Sequence, residues 1–400
     1  MSDTQKHTKP NVPNLRFPGF SGEWKQHLLS EYLDFKNGLN PSAKSFGEGI
    51  KFISVMDILN NPYITYNCIR TSVNATEKEK QEFNVEYGDI LFQRSSETLE
   101  DVGHANVYLD RKPALFGGFT IRGKKKGDYN PLFFKYLLDS PKARKKVIVK
   151  GAGAQHFNIG QEGLSSVSLF FPAMQEQAKI AGLLELLDQR IAIQNKVIED
   201  IQALKKATSS RILFTRRGEK KTLGEITEQF SIRNRERVQF PMYSVTNDKG
   251  FIPQNEQFED REMTGEDIAA YKLIYKGDIA YNPARINVGS IAQYKGDGIC
   301  MISSLYVCIR AKRGISSRWL MHILKSDQIL FYYNLYAEGG VRLYLFYPNF
   351  ARIRVFVPSF EEQERTADIL DLLVYKEQLE RQVYQRLIKQ KESLLSKLFV

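Results

Sequence analysis

Only three cysteines, Cys68, Cys300 and Cys308, occur in 400 residues. They are scattered and unpaired by spacing, which argues against a disulfide framework and points to a reducing cytoplasm. The five histidines (His7, His27, His104, His156 and His322) show no metal-ligand spacing, so no metal site is expected. No run of 18 or more uncharged apolar residues occurs, which excludes a hydrophobic membrane-spanning helix. The opening Met1-Ser2-Asp3-Thr4-Gln5-Lys6 lacks the apolar stretch of a secretory signal, so none is expected.

Catalytic signatures are missing as well. There is no Gly-x-x-x-x-Gly-Lys-Ser/Thr phosphate loop, and Gly151-Ala152-Gly153 completes no dinucleotide pattern. No serine stands in a Gly-x-Ser-x-Gly elbow. Asn61-Pro62-Tyr63 and Asn282-Pro283-Ala284 each fall short of the Asp/Asn-Pro-Pro-aromatic signature of an amino-methyltransferase. The economical reading is a chain with no active site, cofactor or metal of its own. The alternative is a stand-alone DNA-modifying or DNA-cleaving enzyme whose site is cryptic; a third reading is a coiled-coil scaffold.

What the chain does have is an internal repeat. Phe171-Pro172-Ala173-Met174-Gln175-Glu176-Gln177 recurs 186 residues later as Val357-Pro358-Ser359-Phe360-Glu361-Glu362-Gln363. At the same offset Phe134-Lys135-Tyr136-Leu137-Leu138 faces Leu320-Met321-His322-Ile323-Leu324, and Phe119-Thr120-Ile121-Arg122 faces Leu305-Tyr306-Val307-Cys308. Further upstream Gly88-Asp89-Ile90 matches Gly277-Asp278-Ile279 after a drift of a few residues, as loop insertions produce. A duplication of this length can give one chain internal two-fold symmetry, and with it two binding heads.

Each copy ends in a long helical pattern. Residues 173–214 contain no proline and one glycine, Gly182. Steps of four and three pick out Ile180, Leu184, Leu187, Ile191, Gln194, Ile198 and Ile201, a heptad seam with one polar break. The same phase in the second copy gives Thr366, Leu370, Leu373, Glu377, Glu380, Tyr384 and Leu387. A helix of about 40 residues is about 60 Å long and buries too little alone. The two are therefore expected to pack as an antiparallel coiled coil, with Gln194 opposite Glu377 or Glu380. Ser359 and Glu362 form a capping box at the second start; Ala173 cannot, so the first start is expected to fray.

The remaining segments read as α/β, which gives two α/β domains separated by the coiled coil. The expected organisation is a flexible N-terminus at 1–14, domains at 15–170 and 217–356, and helices at 171–216 and 357–400. Net charge is +11, which favours a polyanionic partner. Twelve basic side chains fall between Arg111 and Lys150 against Asp128 and Asp139; Lys124, Lys125 and Lys126 are the candidates there for sequence-blind phosphate contacts. Beyond Gly88-Asp89 and Gly277-Asp278, each copy presents a polar loop. Arg94, Ser95 and Ser96 are candidates in the first, Asn282, Arg285 and Asn287 in the second, since Arg and Asn can read base edges with paired hydrogen bonds. Hairpin loops holding themselves together would look the same. A glycine-rich loop then precedes each long helix, carrying Gln155 and His156 in one copy and Arg342 in the other; a tight turn accounts for those glycines equally well.

These features resemble the specificity subunits of type I restriction-modification systems. The resemblance rests on Pro13-Asn14-Leu15-Arg16-Phe17-Pro18-Gly19-Phe20 with Glu23-Trp24, the two Gly-Asp-Ile runs, the paired Pro-x-x-x-Glu-Gln starts and Leu398-Phe399. It covers the chain from about residue 13 onward. It implies a non-catalytic subunit in which two target-recognition domains each read half of a bipartite DNA site, and in which the coiled coil sets the spacer and docks the partners. Those partners would be two modification subunits, which bind S-adenosylmethionine and methylate adenine, and restriction subunits that use ATP and Mg. Acidic seam positions at Glu377 and Glu380 depart from an apolar seam.

Overall fold

Four helix caps form two pairs at the 186-residue offset. Asn130, Ser140, Ser316 and Ser326 each accept a hydrogen bond from the backbone N–H three residues on, which satisfies a donor that a helix start otherwise leaves open. Two short helices follow in each copy, Pro131–Asp139 and Pro141–Ile148 in the first, Ser317–Leu324 and Asp327–Tyr336 in the second. The computed structural model describes residues 11–153, 156–254, 268–340 and 342–400. They divide into two compact units: the chain up to Asn195 together with Gln382–Val400, and Lys196–Arg381.

Both units carry a four-stranded antiparallel sheet of the same order. In the first, the order is Leu33–Asn37, Thr120–Lys125, Ile90–Gln93, Ala105–Val107; in the second it is Thr227–Phe230, Val307–Ala311, Ile279–Tyr281, Ile291–Gln293. A separate antiparallel pair leads into each long helix, Lys25–Leu28 with Ser168–Phe171 and Glu219–Thr222 with Arg354–Val357. The apolar run Ile90-Leu91-Phe92 is explained by burial of both sheet faces. Ile90 and Phe92 join the core that contains the short helices, and Leu91 joins a second core with Ile53, Tyr108 and Phe116. Ile279 and Tyr281 likewise face one core and Ala280 another, as the two-residue period of a strand requires.

The Gly-Asp-Ile runs are structural. Gly88 and Gly277 have φ of 92° and 94°, conformations that glycine adopts without steric cost. Asp89 accepts from the Glu86 N–H and Asp278 from the Tyr275 N–H, so each carboxylate closes the turn leading into its strand. Asp278 also holds Arg310 through two hydrogen bonds of 2.6 and 3.0 Å.

The long helices run Met174–Leu213 and Phe360–Lys397. In the first unit, Ile180, Ala181 and Leu184 share a core with Leu398 and Phe399, and Asp188 meets Lys391 at 2.6 Å. In the second, Leu213 shares a core with Ala367 and Leu370, while Gln202 and Lys205 reach Glu377. Within each unit the helices thus run antiparallel. Leu187, Ile198, Ile201 and Leu387 are buried and Ile191, Leu373 and Tyr384 half-buried, in the phase the heptad gives.

The acidic seam position Glu377 takes Gln202, Lys205 and Arg381 as partners. Burial opposes the charge on Glu377, but those hydrogen bonds outweigh it and hold its carboxyl below the usual range. The start at Ala173 is not left loose. Glu176, 1% exposed, receives Arg16 through two 2.8 Å hydrogen bonds and Trp24 at 3.4 Å. The flexible stretch expected at 1–14 does not extend through 11–14, where Asn11 accepts from the Trp24 N–H and Pro13 is buried.

The glutamine of the repeated motif has one function in both copies. Gln177 accepts from the Asn130 N–H and donates to the Pro172 carbonyl; Gln363 accepts from the Ser316 N–H and donates to the Pro358 carbonyl. A buried amide therefore ties the start of each long helix to the start of the short helix beside it, with little of its hydrogen-bonding capacity unused.

Candidate nucleic-acid interface

In the first unit the two candidate loops meet. Ser95–Ser96 forms a small antiparallel ladder with Phe157–Asn158, the Ile159 N–H donates to the Arg94 carbonyl at 3.0 Å, and Ser95 Oγ donates to Asn158 Oδ1. Ala152 and Asn158 exchange backbone hydrogen bonds of 2.9 Å across the glycine loop. Gly153 has φ of 147° there, and a Cβ would overlap the His156 carbonyl. The glycine is therefore required by the turn.

The second unit repeats the loop-to-loop and glycine-loop hydrogen bonds, without the ladder among its described residues and with different side chains. The Leu345 N–H donates to the Pro283 carbonyl at 2.9 Å, and Glu338 and Tyr344 exchange hydrogen bonds of 2.9 and 2.8 Å. Gly339 has φ of 129°, and a Cβ would overlap the Arg342 carbonyl. Asn282 Oδ1 accepts from the Ala284 N–H, which shapes the turn that presents Arg285. Asn287 donates to Asn334 at 3.3 Å.

The candidates separate into free and committed groups. His156, Arg285 and Arg342 are exposed, and Arg285 and Arg342 have no side-chain hydrogen bond or ion pair to a described residue. Arg94 is half-buried, with its guanidinium 3.3 Å from the Gly118 carbonyl. Ser95 is taken up by Asn158, and Ser96 accepts from the Thr98 N–H. Gln155 lies outside the described residues.

The lysine run is placed elsewhere. In the sheet register Gln93 lies beside Thr120, whereas Ile90 lies beside Gly123. Lys124 and Lys125 thus stand at the far end of their strand from the Arg94 loop, and Lys126 follows just beyond it, a separation of about 15 Å at 3.3 Å per residue. Lys124 pairs with Glu86 and Lys126 with Asp34, while Lys125 lies 4.9 Å over the Tyr129 ring. Other members of the basic stretch also hold the fold together. Lys135 pairs with Asp139, Lys142 donates to the Phe399 carbonyl, and Arg144 donates to the Glu100 and Val102 carbonyls.

At the loop end of each sheet stand residues that the sequence reading passed over. Phe119 and Leu305 occupy equivalent turn tips and are 71% and 76% exposed. Exposed Arg233 and Arg235 follow the strand Thr227–Phe230, which pairs with Val307–Ala311. The offset that aligned Phe119 with Leu305 was legible; that both side chains point to solvent was not. Among the described residues no group of histidine, cysteine, aspartate or glutamate could hold a metal, and no helix is long and apolar enough to cross a membrane.

Residues 21–203 match the family model for the type I restriction modification DNA specificity domain. A Methanocaldococcus jannaschii protein named as the specificity subunit of the type I restriction enzyme MjaX is 24% identical over 98% of this chain and 96% of its own length. The Escherichia coli K12 type I restriction enzyme EcoKI specificity subunit is 26% identical over 48% of this chain and 44% of its length. The crystal structure of a type I restriction-modification S subunit from M. genitalium superposes with a TM-score of 0.60 at 17% identity, covering 97% of this chain and 99% of that one. A structure described as the basis of complex assembly and conformational transition of the type I R-M system gives 0.59 at 13% identity, over 93% and 96% of the two chains. These structural likenesses concern the fold.

Proposed function

Because the chain belongs to the family of type I restriction-modification specificity subunits, and is a DNA-recognition component rather than a solitary enzyme, we propose that each unit reads one half of a bipartite DNA site. The observation that carries this is the pair of converging loops, joined by equivalent backbone hydrogen bonds in both units (Ile159 to Arg94 and Ala152 with Asn158; Leu345 to Pro283 and Glu338 with Tyr344) and tipped with different side chains. A conserved frame with divergent tips suits recognition of two unlike half-sites. Arg94 and His156 would serve the first half-site, and Arg285, Asn287 and Arg342 the second. Ser95, Ser96 and Asn282 would shape these loops, since their side chains are already engaged there. Lys124, Lys125 and Lys126 fall outside this face, at the other end of the sheet.

The long helices set the spacer in this reading and carry the partner surfaces. Leu186 in the first unit and Leu372 in the second are 66% and 67% exposed. Ile193 and Leu379, one heptad further along each helix, are also exposed. Apolar residues on the outer side of a helix whose inner side is buried mark a protein contact. Two modification subunits would dock there and bring S-adenosylmethionine for adenine methylation, an act that requires the base to leave the duplex. Restriction subunits would bring ATP and Mg, and the assembly would work in the cytoplasm.

The test is an exchange of residues 15–170 for those of a relative, followed by mapping of methylated adenines. One half of the site should change and the other stay. A change in both halves would contradict modular recognition. Insertion of one helical turn near residues 205–215 should lengthen the spacer and leave both half-sites intact.

A further inference from the structure

The tips at Phe119 and Leu305 have no part in any core, yet their backbones are firmly held. The Thr120 N–H and Oγ1 both donate to the Gly117 carbonyl, at 2.9 and 2.7 Å, and the Arg94 N–H donates to the Phe119 carbonyl at 2.9 Å. At the same place in the second unit the Tyr306 N–H donates to the Ser303 carbonyl at 3.2 Å. A large apolar side chain on a rigid turn, mostly in water, contributes nothing to folding that a small polar residue would not.

Each tip also has a cation fixed at its base. Arg94 donates to the Gly118 carbonyl, one residue before Phe119. Lys272 donates to the Tyr306 carbonyl at 2.6 Å, one residue after Leu305. Arg94 follows the strand Ile90–Gln93 and Lys272 opens the strand Lys272–Ile274, and they are different residue types, but both end beside the apolar tip. A cation flanking an exposed apolar point matches duplex DNA, in which phosphate lies a few ångströms from the stacked faces of the bases.

We propose that Phe119 and Leu305 are wedges, each entering between two stacked base pairs of its half-site while Arg94 or Lys272 meets the adjoining phosphate. This rests on the reading of the loop end as the DNA face and adds a deformation to it. Apolar side chains that part a base step make recognition depend on how easily that step unstacks, even where no base edge is touched. Flexible pyrimidine–purine steps would therefore be favoured beneath each tip.

The experiment uses the full chain assembled with its modification partner and a duplex bearing the mapped site. 2-Aminopurine is placed in turn at each position of the half-sites except the methylated adenine. Binding should raise fluorescence at one step in each half. Phe119→Ala should abolish the rise in the first half only and weaken binding by about tenfold; Phe119→Trp should restore both. Leu305→Ala should do the same in the second half. Unchanged fluorescence with Phe119→Ala overturns the wedge, whether or not affinity falls, because a surface contact unstacks nothing. If exchange of residues 15–170 leaves the first half-site unaltered and Arg94→Ala leaves DNA affinity unchanged, the DNA-face reading itself fails, a result separate from the fate of the wedge.

Discussion

Replacing Arg16 by alanine removes two charge-assisted hydrogen bonds, each 2.8 Å long, from a carboxylate that is almost wholly buried. Glu176 would keep the Trp24 indole N–H at 3.4 Å, too long to compensate a charge. An uncompensated buried charge of this kind costs about 3–5 kcal/mol. The equivalent glutamate of the second copy, Glu362, caps Ser359 through hydrogen bonds of 3.2–3.3 Å at an exposed helix start. Loss of such a cap costs about 1 kcal/mol. Arg16→Ala and Ser359→Ala should therefore differ by at least 2 kcal/mol although they act at the same letter of a repeated motif. Hydrogen exchange over residues 172–180 and 358–366 gives each opening free energy locally. Exchange at the first start should rise by a factor on the order of 100, and at the second by about fivefold. A rise of less than tenfold in Arg16→Ala would show that Glu176 finds water or another partner, and the argument from burial would be wrong.

Arg285→Ala should cost about 1–3 kcal/mol of discrimination at a single half-site, whereas Arg94→Ala, beside the wedge, should weaken binding on every sequence alike. Competition binding separates the two, and equal weakening on every sequence in Arg285→Ala would make it a phosphate contact instead. Glu377→Leu should leave thermal stability at neutral pH unchanged or raise it by up to about 2 kcal/mol, since a well-packed apolar residue can replace a buried ion cluster. The native chain should lose stability as pH falls through the depressed pKa of Glu377, because the unfolded state then binds the extra proton; the variant should lack that contribution. Acid titration of the melting temperature checks both. Cys300 and Cys308 have thiols pushed up to about 12 by burial, whereas Cys68 is half-buried. Iodoacetamide at about pH 8 should label Cys68 alone until the second unit is unfolded; early labelling of Cys300 would contradict its enclosure.

The repeat and the heptads were legible because both are spacings along the chain. Leu184, Leu187, Ile198 and Leu370 lie buried where the four-three step puts them. Helix starts at Asn130 and Ser316 were legible from local chemistry. The basic stretch was legible as charge but its partners within the fold were not, because charge density says nothing of them. Lys124, Lys126, Lys135 and Arg144 all find acceptors far away or one turn on. That the Asn282 amide oxygen accepts from its own loop was not legible, since such an oxygen can accept there as readily as from DNA. Glu377 looked like a flaw in the seam until Gln202, Lys205 and Arg381 supplied its hydrogen bonds.

Gln382–Val400 belong with the first unit, where the Phe399 ring packs against Trp24 and Phe133 and the Lys397 carbonyl accepts from Leu15. On the ribosome this inverts the usual order. Lys196–Arg381 is one continuous stretch and can mature as soon as it emerges, but the unit whose synthesis starts first must wait, with Trp24 and Phe133 uncovered, for Gln382–Val400 to be made. A nonsense mutation a dozen codons before Val400 would therefore damage the earlier-made head and spare the later one.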